Sequence, residues 1–274
     1  MKALRKAVLY TFTFLCVFFQ TYPILWIIVS SFKSNEEHTM NPPYSMPERF
    51  FFENYTALVD TSIMTYFKNS LIVVVFTLIG IVALGALAAY PLSKMNFPGR
   101  KLIKRVFMLG IMIPVFVSLI PMFRVFSAIG IKNTHLSLII PQVGFSISLA
   151  IYLFLGFLDY LPNSIIESGY IDGASSFRIF FSIILPLLRN TIVTIATFNF
   201  VFVWNEFIFA NTFVSSNAMK TIPIGLNDFI GTFGLRDWGM TFAAITVTVL
   251  PTLLVFFVMN KQVMEGMTAG AVKA

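Results

Sequence analysis

Charge is scarce in this sequence. Of 274 residues only 11% are Asp, Glu, Lys or Arg, against about 25% in a soluble domain. Cysteine occurs once, as Cys16 inside an apolar run, and histidine twice, as His38 and His135. One thiol forms no internal disulfide, which excludes a secreted disulfide scaffold and argues against redox chemistry. Two histidines without a second ligand at metal spacing give no metal site, and a plain surface role is expected for both. No G-x-x-x-x-G-K-[ST], G-x-S-x-G, H-E-x-x-H or C-x-x-C occurs. The chain is therefore not expected to hydrolyse ATP itself, and it lacks convergent titratable groups for an enzyme embedded in a membrane.

What is present is apolar. Residues of the set AVILMFWYC make up 57% of the chain, with 32 Phe, and mean hydropathy is +0.84. Such a chain cannot cover a water-facing surface, so a soluble enzyme and a disordered segment are both excluded. A helix needs ~20 apolar residues to cross a bilayer. Charge-poor runs predict six spans, at about 7–32, 69–93, 106–127, 136–158, 190–212 and 238–260. Runs such as Leu71-Ile72-Val73-Val74-Val75-Phe76 do not alternate, which favours helices over a barrel. The first run exceeds the ~7–15 residues of a signal-peptide core and lacks a small-residue cleavage site, so it reads as a retained helix.

Orientation follows from Lys and Arg. With the amino end inside, 12 of the 19 positives fall on the cytoplasmic side and 7 outside. The 94–105 loop alone has five positives and no acid. Both termini are predicted to be cytoplasmic. Pro23, Pro91, Pro114, Pro121, Pro141 and Pro251 read as kinks that a bundle tolerates. Gly85 and Ala89 on the second span, and Thr241, Ala244, Thr248 and Thr252 on the last, predict close helix contacts.

Residues 159–189 are the most informative segment. Ser164 and Glu167 fit an S-x-x-E capping box. Gly173 is placed to end that helix in a left-handed conformation. Ser175 or Ser176 can cap a second helix, 177–185, which Pro186 stops. Ser168 and Gly169 leave a low patch between Ile165, Ile166, Tyr170 and Ile171, shaped to enter a partner's groove.

Here the residues carry a resemblance. Glu167-Ser168-Gly169, Gly173, Ile183 and Leu185-Pro186 resemble the EAA loop of ABC importer permeases, E-A-A-x3-G-x9-I-x-L-P, with every spacing kept. Ser168 and Gly169 stand where that pattern has alanines, and Gly169 weakens the helix by up to about 1 kcal/mol. Asp172-Gly173-Ala174 resembles the D-G-A favoured by sugar permeases. Similar likenesses cover Ser31-Phe32-Lys33-Ser34, Glu53-Asn54-Tyr55, Asn69-Ser70, Ala89-Tyr90-Pro91-Leu92-Ser93 and Trp204-Asn205-Glu206-Phe207. The tail Gly266 to Lys273 resembles the G-x-T-x-G-A-V-K ending of a sugar-importer branch that includes the small permease subunit of the maltose transporter.

The resemblance implies an all-α type I ABC importer permease fold, a single transmembrane domain over 1–274, in the bacterial plasma (inner) membrane. It implies a second homologous permease subunit, two ATP-binding subunits that hold ATP and Mg, and an extracytoplasmic sugar-binding protein, with no cofactor or nucleic acid on this chain. It places Glu167, Ser168, Gly169, Asp172 and Gly173 against the ATPase, along with tail residues including Ala271 and Lys273. Glu167 capping its own helix is compatible with that role. Glu206, the one acid within a span, should face the bundle interior, a wet cavity or a neighbouring helix. Asn199, Trp204, Asn205 and Glu206 suit a sugar path, since hydroxyls want donors and acceptors and a pyranose face wants a ring. The outer loop 212–240 is expected either to reach the binding protein or to be a plain connector. Oligosaccharide is the first expectation for substrate, with monosaccharide and glycerol-phosphate esters also in range. A stand-alone secondary carrier is the alternative; it would need an ion-coupling constellation and leaves 159–189 unexplained.

Overall fold

The computed structural model describes the backbone of residues 2–229 and 237–271, with side chains described over 4–229 and 237–260. Among the described residues every regular element is helical. The chain divides into two compact units, Met1–Met64 with Ile224–Pro251, and Thr65–Pro223 with Thr252–Ala274.

The first unit contains α1 (Lys2–Ser30), the short α2 (Asn35–Met40) and α3 (Glu53–Val59), the start of α4 (Ile63–Lys94) and the start of the last helix, Trp238–Ala271. Ser34 opens α2 through a capping box, its hydroxyl accepting from Glu37 N–H while the Glu37 carboxylate accepts from Ser34 N–H at 2.7 Å. The chain that follows α1 is pinned from inside. Asn54 is buried and its amide donates to the carbonyls of Ser31 and Lys33 at 2.9 and 2.8 Å. Lys33 is 1% exposed and its ammonium donates to Ser45 Oγ and Pro43 O. His38 stacks on Phe242 at 5.2 Å with Nε2 2.9 Å from Ser30 O, so it is a packed group rather than a plain surface one.

The second unit is built on α4 and α7 (Leu136–Leu158). Gly85 lets the two backbones close up: a Cβ there would lie 3.2 Å from Ala150 Cβ and 3.3 Å from the Phe154 ring. Ile81, Ala86, Ala89, Ile151, Phe154, Leu155 and Leu158 form the buried seam. Burying such side chains is worth about 1.5–3 kcal/mol each against water, but lipid is as apolar as they are, so close packing holds the seam.

The predicted 106–127 span is not one rod. It is α5 (Arg100–Gly110) and α6 (Val115–Ala128), bent 98° apart. Pro114 lacks an N–H and pushes Ile113 out of the helical region, so the chain breaks rather than kinks. Pro23, Pro91, Pro121, Pro141 and Pro251 do lie inside helices.

Beyond α7 come α8 (Asn163–Ile171), α9 (Ser176–Ile179), a π-turn over Phe180–Ile184, α10 (Leu185–Leu187), α11 (Arg189–Trp204), α12 (Ile208–Phe213), α13 (Ile222–Gly225) and α14 (Trp238–Ala271). Among the described residues four helices are long and apolar enough to cross a membrane, and the count reaches six when the bent pairs α5–α6 and Ser176–Leu187 with α11 each form one span.

Candidate functional site: the 159–189 loop and the broken fifth span

The loop opens at Asp159, which accepts from Ser93 Oγ at 2.7 Å and pairs with Lys104 at 3.6 Å. Lys94 Nζ donates to Leu161 O at 2.6 Å and to Asn163 Oδ1 at 3.1 Å. Arg100 donates to the carbonyls of Leu92, Ser93 and Met95, three of the groups that the end of α4 would leave unpaired. The end of α4 thus holds the entry to α8.

The capping box expected at Ser164 and Glu167 does not form. Pro162 occupies the cap position, no side chain caps α8, and Ser164 lies inside its first turn. There the Ser164 carbonyl accepts from Ser168 Oγ at 2.8 Å. The helix starts two residues early because Pro162 carries no N–H to satisfy and holds an extended ψ of 135°.

The carboxyl end of α8 follows expectation. Gly173 has φ +76°, its N–H bonds Tyr170 O at 3.0 Å, and Ala174 N–H bonds Gly169 O at 2.9 Å. That pair of bonds is a Schellman stop, and a left-handed C′ residue favours Gly. Ser175 then caps α9 by accepting from Arg178 N–H. Pro186 does not stop the second helix. It sits in the first turn of α10, and the missing bond is absorbed upstream by the π-turn, where Leu185 N–H reaches Phe180 O. The chain turns at Leu188, with a 70° bend into α11.

Of the predicted docking residues, Glu167, Ser168, Asp172 and Gly173 are exposed together on one projecting element. Gly169 is not. It is buried, and a Cβ there would meet Ile179 Cγ1 at 3.0 Å and Ile183 Cδ1 at 3.3 Å. Gly169 sets how closely α8 lies on the following turn. Two bare apolar side chains complete the projecting face, Ile171 at 86% and Phe177 at 75% exposure. Phe177 was not singled out by the sequence, although its position right after the Ser175–Ser176 cap could have marked it. Ala271 is the last residue of α14 with its side chain outside the described set, and Lys273 lies outside the described residues altogether.

The fifth span is broken at Asn205–Phe207, so Asn199 and Glu206 do not share one helix face. Asn199 is buried and its amide donates to Ile195 O within α11. Trp204 is buried, stacked on Phe200 and edge-on to Phe67. Asn205 is exposed and donates to Val201 O. Glu206 turns to the short helix that follows it rather than to Asn199. Its carboxylate accepts from the N–H groups of Phe209 and Ala210 at 2.7 and 3.1 Å, capping α12 from just outside its first turn. Helix amino ends favour such a negative charge.

At the far end of the same unit, Asn69 donates to Ala218 O and Lys220 O, both at 2.9 Å, and Ser70 Oγ accepts from Ile222 N–H at 2.9 Å. His135 Nε2 lies 3.0 Å from Asn69 Oδ1 and is the donor there, since that oxygen can only accept. His135 is therefore a structural group and not a plain surface residue.

Residues 80–264 match the family described as binding-protein-dependent transport system inner membrane component. The diacetylchitobiose uptake system permease protein NgcG of Streptomyces coelicolor is 37% identical over 250 residues, covering 90% of this chain and 82% of that protein. A bacterial ABC transporter involved in import of the acidic polysaccharide alginate has a chain with TM-score 0.79 at 20% identity, covering 94% of this chain and 95% of its own. A second structure, of a bacterial alginate ABC transporter with a pentasaccharide-bound periplasmic protein, aligns with TM-score 0.68 at 15% identity over 94% and 93% of the two chains. With both the family match and a relative of this identity spanning most of its length, the chain belongs to the binding-protein-dependent transport system inner membrane components, the permease subunits of ABC importers.

Proposed function

We propose that this permease conducts oligosaccharides and is driven by a separate ATPase pair through α8 and its exposed neighbours. The complete importer would contain a second permease subunit, two ATP-binding subunits carrying ATP and Mg, and an extracytoplasmic sugar-binding protein. Sugar is favoured by the diacetylchitobiose relative. The docking reading is carried by one observation: a short helix closed by a Schellman stop presents Glu167, Ser168, Ile171 and Asp172 outward, beside Phe177. Exposed apolar side chains on a rigid knuckle suit a partner's groove, and the carboxylates offer charge to fix register. Alternating access then follows as a population shift, with ATP-bound and ATP-free partners favouring different arrangements of the permease.

Glu167→Lys tests this in proteoliposomes of the intact importer. Insertion into the membrane is expected to stay normal while uptake falls and ATP hydrolysis separates from it. Normal uptake together with normal stimulated hydrolysis would reject the docking role. A ligand screen of the binding protein with maltose, cellobiose, N,N′-diacetylchitobiose and glycerol phosphate tests the substrate class. Within the path, Asn205 is the exposed polar group at the break in the fifth span, and Asn205→Ala is expected to lower uptake more than Asn199→Ala.

A further inference from the structure

We propose that α4 is a strut joining the 159–189 loop to the outer loop 214–223, with Lys94 and Asn69 as the positioning residues at its two ends. The inference rests on the permease reading above, because it needs a partner that moves α8.

The inner joint is Lys94, whose ammonium bridges Leu161 O and Asn163 Oδ1 on either side of Pro162, at the first residue of α8. Ser93 adds a bond to Asp159. Arg100 folds back over the carbonyls of Leu92, Ser93 and Met95, so the end of α4 cannot fray independently of the joint. The outer joint is Asn69, 5% exposed, which holds both Ala218 O and Lys220 O, with Ser70 beside it on Ile222 N–H. Between the joints α4 is one helix with no break. From 69 to 94 its rise of 1.5 Å per residue gives ~37 Å, a full bilayer core.

α7, unbroken over Leu136–Leu158, runs beside α4 from near Asn133, which accepts from Ser215 and Ser216 N–H, to Asp159, and it is tied to α4 at both ends through His135–Asn69 and Asp159–Ser93; the other two routes are interrupted. The path through α5 and α6 is bent by 98°, and the path through α9 to α11 is bent by 70° and broken again at Asn205–Phe207. A continuous helix hydrogen-bonded at both ends transmits a displacement that bent segments absorb. The outer-joint bonds are buried or half-buried, as is Lys94 to Leu161 O, so they have few alternative arrangements, while the bonds to Asn163 and Asp159 are exposed. A shift of α8 on its partner would thus reach residues 214–223 through α4.

The test uses the intact complex of permease, second permease and ATPase subunits in nanodiscs. Cys16→Ser removes the native thiol, and Asn217→Cys, at an exposed position next to Ala218, reports the outer loop by its rate of maleimide labelling. The probe is ATP with orthovanadate, compared with no nucleotide and normalised to ADP trapped per complex. With Lys94 the labelling rate is expected to change at least about fivefold on trapping. Lys94→Arg keeps donors for both acceptors and should retain the change. Lys94→Met and Asn69→Leu should each reduce it at least about twofold while still trapping ADP, since α7 remains in place. A response undiminished in Lys94→Met and Asn69→Leu overturns the strut, and so does an unaltered complex whose outer loop ignores trapping. Should Lys94→Met fail to assemble, Asn69→Leu reads the same linkage from the other end. Failure of the functional reading looks different: no ATPase is retained with the permease and no ADP is trapped.

Discussion

Glu206 shows how one carboxylate can be settled without a cation. Two backbone N–H groups at 2.7 and 3.1 Å satisfy it, and the helix amino end supplies the favourable potential. Glu206→Ala leaves both donors open and is expected to cost about 1–2 kcal/mol, seen as a lower Tm in detergent. Glu206→Gln keeps an acceptor oxygen and should cost well under half of that. Near-normal uptake in Glu206→Gln would separate the capping role from a charge acting on the sugar path. Gly169 poses a different balance. An Ala there gains up to about 1 kcal/mol of helix propensity, but its Cβ would meet Cγ1 of the fully buried Ile179 at 3.0 Å and Ile183 Cδ1 at 3.3 Å, so both side chains must give way. Gly169→Ala should be near neutral, whereas Gly169→Leu should lift α8 off the following turn and lower both Tm and uptake. His135 gives the pH dependence. Burial first, and then the Lys68 charge, hold its imidazole below the usual value, so the folded chain takes the proton at lower pH than the unfolded one. The unfolded chain takes the proton first as pH falls through ~6.5, so stability present above that pH is lost below it. The drop in Tm between pH 7 and 5 should shrink in His135→Gln, which still can donate to Asn69. An unchanged drop would remove His135 from the account.

Asn133 governs how the elements at the outer end meet. It has φ +56°, and its side-chain oxygen accepts from Ser215 N–H, Ser216 N–H and Ser216 Oγ, while its own N–H bonds Phe213 O. It ties the segment after α6 to the segment after α12. Asn133→Gly relieves the left-handed conformation but loses the acceptor; Asn133→Ala loses the acceptor and adds ~1–2 kcal/mol of backbone cost. Unfolding midpoints should therefore fall in the order Asn, Gly, Ala, and an Ala variant as stable as the Gly variant would contradict this. None of this was legible in the sequence, because a left-handed Asn reads like any loop Asn until its partners are known. The spans were legible as charge-free runs, and so were Gly173 and the Ser175 cap, which act over three to five neighbouring residues. The capping box was misplaced: the same S-x-x-E rule fits Ser34–Glu37, where it forms, and Ser164–Glu167, where the preceding Pro162 pre-empts it. The breaks at Pro114 and Asn205–Phe207 were missed because composition stays apolar through a bend. Gly169 was read as bare surface because its burial depends on Ile179, ten residues away.

At the scale of the whole molecule, helix length and composition over the described residues allow four to six crossings. If the bent pair α5–α6 were re-entrant, α7 would run opposite to α4 and α8 would emerge outside. The hydrogen bonds decide against that. Ser93 meets Asp159 at one end, and Asn69 meets His135 at the other, so α4 and α7 run parallel. Parallel neighbours in sequence need a connection that returns across the full length, which α5 and α6 together supply. By the same reasoning the chain crosses again between α8 and α12: Ser176 and Tyr170 bond at the Asp159 end, whereas Phe213 O bonds Asn133 N–H near His135. Among the described residues the helices then allow up to six crossings, and the five positives at 94–105 lead us to expect that end on the cytoplasmic side. The expected outcome in a Cys16→Ser background is that Asn217→Cys reacts with a membrane-impermeant maleimide in intact spheroplasts, while Ser176→Cys reacts only after the membrane is opened. Labelling of Ser176→Cys from outside would place α8 beyond reach of any cytoplasmic ATPase, and the parallel arrangement of α4 and α7 would have to be abandoned with it.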